Sequence, residues 1–291
     1  MKVTQMSLYR TLKANLGQSS RSMNALYVQA STGKKMIDAS DDPSAIGSVF
    51  SSRTAISSAE RYLETMAETQ DNLDILDGYL DTAGNILIRA KEIATAAING
   101  TLSDEDYATY AAEVEQLQNA LLDVANARVD GKYLFAGYAE DTQPFSGDPV
   151  VYQGTSDHKM VEVSAGQTIQ TSLSGDEVFS SPVDCFAVLA DLETALSNGD
   201  TTALSSSLVD LESAAEQVRG KRSWMGNINA RLDDLTTLAE NMKLQMEERL
   251  SAHEDADLVE VMSGISQAEQ AYEAALTVTG RLSQLSILDY L

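Results

Sequence analysis

Proline is scarce in this chain of 291 residues, with four in all, and aromatic residues make up only 6%. Proline breaks helix interiors, and large aromatic side chains dominate compact enzyme cores. Their scarcity leaves room for long helices. Cysteine is limited to Cys185, which excludes an internal disulfide framework and leaves the redox compartment unread. No apolar run approaches the ~18 residues of a membrane span. Residues 1–7 lack the apolar stretch and small-residue cleavage site of a secretory signal. Residence in the cytoplasm and export with an uncut N-terminus both fit. Neither GxxxxGK[ST] nor GxGxxG occurs, so no phosphate-cradling loop is expected. Basic residues are outnumbered 20 to 44, for a net charge of −24. Such a chain repels phosphate backbones and anionic lipid, so neither nucleic acid nor a membrane is an expected partner.

The residues that could carry chemistry are few and dispersed. His158 and His253 are the two histidines, and neither sits in a ligand motif or near Cys185 in sequence. Cys185 lies on an apolar stripe and reads as a small buried hydrophobe. No serine occupies a strand–turn–helix elbow. Asp38, Asp41 and Asp42 could hold a cation, but no further ligand follows at calcium-loop spacing, and a solvated capping turn is the simpler reading. No enzyme activity, metal or cofactor is therefore expected.

What the chain does have is 43% hydrophobic residues, enough for a real core, and strong helical periodicity. Leu12, Leu16, Ser19, Met23, Leu26 and Ala30 step by four and three along one narrow stripe, and Gly33 is a natural stop. Residues 38–43 read as a loop, with Pro43 suited to the first turn of the next helix. From Ser44 to about Ile98 a second stripe runs through Val49, Ile56, Leu63, Met66, Leu73, Leu80, Leu87 and Ala94, with a one-step slip at Leu73. A seam this long and narrow is coiled-coil-like. Ser103 followed by Asp104, Glu105 and Asp106 marks a new helix start, and that helix is expected to stop near Asp130-Gly131. Residues 132–183 hold three of the four prolines and short β-type runs at 150–152 and 160–163, and read as a small β-rich insert. Ser181-Pro182-Val183-Asp184 restarts helix as a capping pattern, and Asn198-Gly199-Asp200 turns. A second very long helix is expected from about Thr202 to Ala252, weakest around Gly220 and Gly226. A break at 253–257 precedes a last helix carrying Leu258, Val261, Ile265, Ala268, Tyr272 and Ala275, then Leu282, Leu285 and Leu288.

The plan is near-symmetric, and the economical way to bury such stripes is antiparallel packing of the two halves with the insert at the far tip. The fold class expected is mainly α: an elongated antiparallel bundle of long helices with a small β-rich insert. Helices of ~50 residues at 1.5 Å per residue make a rod. The stripes over 49–98 and 202–252 read as intrachain core. Those over 1–37 and 258–291 read as seams between copies, because terminal helices without a partner are marginal in water. The candidate assembly residues are Leu12, Leu16, Met23, Leu26, Leu258, Val261, Ile265, Tyr272, Leu282, Leu285 and Leu288. Residues 1–37 carry six basic residues and no acid; residues 252–291 carry seven acids and one base, Arg281. Charge can set pairing and register while the apolar stripe supplies affinity. The same charges also read as incidental, since Glu254, Asp255 and Asp257 suit a helix start.

Three motifs carry a family resemblance. Ser31-Thr32-Gly33-Lys34-Lys35-Met36-Ile37-Asp38-Ala39-Ser40-Asp41-Asp42-Pro43 resembles the N-terminal signature of bacterial flagellins and their relatives. Residues 131–138, Gly-Lys-Tyr-Leu-Phe-Ala-Gly-Tyr, with Thr142-Gln143-Pro144-Phe145, resemble the hook–filament junction branch of that family, as does the ending at residues 285–291. The resemblance covers roughly residues 1–145 and 184–291; residues 146–183 match nothing named. It implies a structural subunit exported through the flagellum's own apparatus without cleavage, meeting an export chaperone. The implied partners are copies of itself in a ring layer, an adjacent hook-associated protein, and flagellin. It also implies an inner core from residues 1–43 with 253–291, a rod domain from 44–131 with 184–252, and an outer insert from 132–183. A short flagellin is the near alternative, and a cytoplasmic coiled-coil adaptor the distant one.

Overall fold

A computed structural model of the chain describes residues 2–100 and 102–288, the side chains of residues 2–6, 8 and 282–288 excepted. Six α-helices form: α1 (Lys2–Thr32), α2 (Ile46–Asn99), α3 (Asp104–Ala125), α4 (Cys185–Asn198), α5 (Thr201–Glu254) and α6 (Leu258–Leu288). Between α3 and α4 lie six short strands and one π-helical turn (Asp176–Ser180). The chain divides into two compact units, one made of Met1–Ser58 with Met242–Leu291 and the other of Ala59–Asn241.

In the second unit one apolar cluster joins four helices. α2 supplies Met66, Leu73, Leu80, Leu87 and Ala94; α3 supplies Val114 and Leu121; α4 supplies Leu189 and Leu192; α5 supplies Leu204, Leu211, Val218 and Leu232. All are buried. The stripe on α2 continues across Leu73 without breaking the helix. α2 and α5 run antiparallel in one axial register, which polar pairs on the exposed sides record. The Gln70 amide donates to Asp233 (2.8 Å) and Asn229 to Asp74 (3.1 Å), so four residues up α2 are matched by four down α5. Arg222 then donates to Asp81 (2.5 Å), and Lys91 pairs with Glu212, keeping the same offset. The slip at Leu73 therefore changes which side of α2 faces the core, not where α2 sits along α5. Gly220 and Gly226 lie inside an unbroken α5.

Helix ends follow local chemistry. Ser103 caps α3 in a reciprocal box with Asp106. Gly199, at φ 64°, closes α4 in the left-handed region that glycine adopts without strain. Two boundaries differ from expectation. α3 stops at Ala125 rather than near residue 130, because Asn126 turns its amide onto another segment: it accepts from the Phe145 N–H and donates to the Phe145 carbonyl, both at 3.0 Å. The start of α4 is capped by Asp184, whose carboxylate accepts from Phe186 and Ala187 N–H groups, not by Ser181.

The insert holds three two-stranded antiparallel sheets: β1 (Arg128–Val129) with β2 (Lys132–Tyr133), β3 (Phe145–Ser146) with β4 (Val151–Tyr152), and β5 (Met160–Ser164) with β6 (Gln167–Gln170). Sheets this small are marginal alone. Aromatic packing holds them. Phe145 is ringed by Tyr152 (centroids 5.2 Å apart), Phe179 (5.7 Å) and Phe186 (5.2 Å), and Phe135 meets Phe179 edge-on at 5.2 Å. Four of the five phenylalanines are here. Phe186 belongs to α4, so the aromatic cluster is continuous with the helical core. Gln217 on α5 ties down the π turn, donating to the carbonyls of Val178 (2.9 Å) and Val183 (3.0 Å) and accepting from the Val183 N–H (2.9 Å).

Candidate assembly surfaces

The first unit is built on a hairpin of the two terminal helices. α1 and α6 pack side by side along their length. They are antiparallel: Leu26 lies against Gly264, Tyr27 donates to Glu269 (2.5 Å), and the Ala256 N–H donates to the Gly33 carbonyl (2.8 Å). Exposure along α1 falls at Leu12, Leu16, Ser19, Met23, Leu26 and Ala30, and along α6 at Val261, Ile265, Ala268, Tyr272 and Ala275. Both sets step by four and three, so two narrow stripes line one seam.

The seam is shallow. Among the described residues no side chain of α1 is fully buried, and on α6 only Val261 and Ile265 are. Leu12, Leu16, Met23, Leu26 and Tyr272 are half-buried, and Leu258 is 52% exposed. The side chains of Leu282, Leu285 and Leu288 lie outside the described residues. Sequence periodicity did not mark a second apolar set on the outer sides of the same helices: Tyr9, Val28, Val259, Met262, Leu276 and Val278, of which Val259 is 81% exposed. These fall off the narrow stripe, and a wider apolar count along both helices would have found them.

A polar hub closes the hairpin. Glu254, at the end of α5, is 2% exposed. Its Oε1 accepts from Arg53 Nη2 (2.7 Å) and from Lys34 Nζ, while its backbone carbonyl accepts from the Lys35 (2.8 Å) and Met36 N–H groups. Burial pushes the Glu254 carboxyl up, but the hydrogen bonds from Lys34 and Arg53 outweigh it and hold the group below its ordinary value. Beside the hub, Met36, Ala45 and Val49 form a small core with Leu250. The aspartate cluster is a pair of caps. Asp41 accepts from the Ile37 and Asp38 N–H groups (2.9 and 2.8 Å), and Asp42 from the Ser44 hydroxyl and the Ser44 and Ala45 N–H groups. These bonds stabilise the ionised forms and lower both values: for Asp41 chiefly the backbone bonds, for Asp42 first the Ser44 hydroxyl. Among the described residues no group of three or more His, Cys, Asp or Glu is placed to hold a metal, and no helix is long and apolar enough to cross a membrane.

The family comparison draws on both ends of the chain. Residues 3–140 match the bacterial flagellin N-terminal helical region and residues 208–291 the flagellin C-terminal helical region. The chain belongs to the flagellin family. Within that family, it is 27% identical over 286 residues to flagellar hook-associated protein 3 of Escherichia coli, covering 89% of this chain and 90% of that one. Against the protein of the same name from Salmonella typhimurium it is 28% identical over 184 residues, covering 62% of this chain and 57% of the relative. Among solved structures, a flagellar hook-associated protein of Vibrio parahaemolyticus aligns with a TM-score of 0.70 at 21% identity, over 74% of this chain and all of that one. FlgL of Xanthomonas campestris aligns at 0.61 and 19%, over 69% of this chain and 99% of its own length.

The flagellin-family signature at residues 31–43 has a physical content here. Thr32 and Gly33 end α1, Lys34 reaches the hub, and Asp41 and Asp42 shape the turn into α2. The 131–145 motif is a packing motif. Tyr133, Phe135, Ala136 and Phe145 are buried, and Gly137 sits at φ 66° where a Cβ would fall 2.2 Å from the Thr155 carbonyl oxygen. Of its aromatic residues only Tyr138 projects, 59% exposed.

Proposed function

We propose that the chain is the junction subunit of the bacterial flagellum, joining the hook region to the flagellin filament, and that it works by assembly without catalysis. The observation that carries this reading is the near end-to-end match to hook-associated protein 3, which spans helices and insert alike. It favours the junction subunit over a short filament subunit. The subunit sits in a ring layer of its own copies, with a hook-associated protein on one side and flagellin on the other. It leaves the cell through the flagellar export apparatus uncut, escorted by a chaperone, and functions outside the cell.

Residues 1–43 and 253–291 form the inner assembly core, residues 44–131 with 184–252 the rod domain, and 132–183 the outer insert. The shallow seam supports the first part. Leu12, Leu16, Met23, Leu26 and Tyr272 are half-buried in the free chain, and a neighbouring copy covers what remains, together with the outward Leu258 and the terminal Leu282, Leu285 and Leu288. Val261 and Ile265 hold the hairpin in shape for that contact. Exposed apolar area of this kind marks interaction surfaces. The test is deletion of the gene with complementation. Hooks without filaments, and flagellin released unpolymerised, are expected, with filaments restored by the intact chain. Normal filaments in the deletion strain would overturn the reading.

A further inference from the structure

The sequence holds two Asn-Gly pairs, Asn99-Gly100 and Asn198-Gly199, each with its asparagine as the last residue of a helix. α2 and α5 are antiparallel with Lys91 opposite Glu212, so the end of α2 and the turn leading into α5 share one end of the bundle. All four residues are exposed. Asn-Gly is the pair in which a backbone nitrogen most readily attacks a side-chain amide, because glycine has no Cβ to hinder the approach. The two pairs are alike in chemistry, and the fold sets them apart.

The second pair is locked. Gly199, at φ 64°, donates its N–H to the Leu196 carbonyl, and Asp200 donates to the Ala195 carbonyl, both at 3.0 Å, which closes a Schellman turn. Asp200 then caps α5, its carboxylate accepting from the Thr202 (2.9 Å) and Ala203 (3.1 Å) N–H groups. The nitrogen that would attack is therefore a committed donor inside a pinned turn. The first pair lacks this lock. Among the described residues no backbone carbonyl accepts from the Gly100 N–H. The Asn99 amide is held by one exposed bond, from Nδ2 to the Thr95 carbonyl (2.8 Å).

We propose that Asn99 is a site of spontaneous deamidation, and that Asn198 is protected from it by its turn. Once the bond to Thr95 opens, the Gly100 nitrogen loses its proton to hydroxide and attacks Asn99 Cγ. The N–Cγ bond forms, the Cγ–Nδ2 bond breaks, and Nδ2 takes a proton from water and leaves as ammonia. Water then opens the succinimide at either carbonyl, giving aspartate or isoaspartate. The product puts a carboxylate at the negative end of the α2 dipole, where no basic side chain of the last turn offsets it. The Thr95 carbonyl also loses its side-chain donor. The change runs one way, so it marks the age of a subunit and loosens the last turn of α2. It is independent of where the chain sits in the flagellum.

The test follows both asparagines in the full chain, held for days in mildly alkaline buffer. Peptide mapping by mass spectrometry reads the exchange of amide for acid, and labelling with an isoaspartyl methyltransferase reads the isoaspartate. Asn99 should convert about tenfold faster than Asn198, because backbone bonds must open before Gly199 can react. In guanidinium chloride the two rates should converge, since the unfolded chain presents the same pair twice. Asn99→Gln should remove the signal at residue 99 and leave the rate at Asn198 unchanged. Equal rates in the folded chain, a faster Asn198, no conversion at Asn99, or a preference for Asn99 that survives unfolding would each overturn the proposal.

Discussion

Two residues, Phe145 and Glu254, show how differently a single side chain can act in this molecule. Phe145 is fully buried against three aromatic rings, with its backbone held at both ends by Asn126. Removing it leaves a cavity that the small sheets cannot close, so Phe145→Ala should destabilise the second unit by about 3–5 kcal/mol. Denaturant unfolding followed by Trp224 fluorescence checks this; a midpoint unchanged from the natural chain would contradict it. Glu254 acts through charge. Its folded value lies below the ordinary glutamate value, so its contribution is present above the unfolded value and is lost as pH falls through the folded one. Its partners Lys34 and Arg53 are roughly half exposed, which limits the effect to about 1 kcal/mol. Glu254→Gln should therefore weaken the first unit at neutral pH and converge with the natural chain once the medium is more acidic than the ordinary carboxylate range. Helicity measured against denaturant at several pH values decides it, and a gap that widens in acid would count against the hub. Cys185 gives a third check. Burial, and secondarily the neighbouring Asp184, push its thiol up to about 12, so it should resist thiol reagents at pH 8 until the chain unfolds.

At the scale of elements, the helices were legible in the sequence because their signals are local. Gly33, Ser103 and Gly199 each end or start a helix through their own backbone or side chain, and each does so in the structure. The end of α3 was not legible, because Asn126 answers to Phe145, nineteen residues away. The Glu254 hub was missed for the same reason: its partners lie 201 and 220 residues off in sequence. The acid run at 253–257 reads as a helix start, and only folding shows that one of its members is buried. Two glycines test the local packing. Gly226 sits in an open stretch of α5, so Gly226→Ala should stabilise by about 0.5–1 kcal/mol. Gly175 would place a Cβ 2.5 Å from the Phe145 ring, so Gly175→Ala should destabilise. Thermal melts of the two variants should move in opposite directions.

For the whole molecule, burial is unevenly distributed, and the proposed assembly draws on that. Side chains from four helices are fully buried in the second unit, whereas the α1–α6 seam of the first is mostly half-buried. Helices whose stripe is only partly covered open easily. Amides of α1 and α6 should therefore exchange with solvent faster than those of the α2–α5 core in the free subunit, and slow down on assembly. If the oppositely charged end segments steer pairing, assembly should slow as ionic strength rises, whereas indifference to salt would mark the charges as incidental. The central claim is that this subunit forms a junction layer and not the filament itself, and counting copies against filament length tests it most directly. In sheared, purified flagella sorted by length, quantitative mass spectrometry should find a small fixed number of copies per filament. A copy number that grows in proportion to filament length would contradict the junction reading.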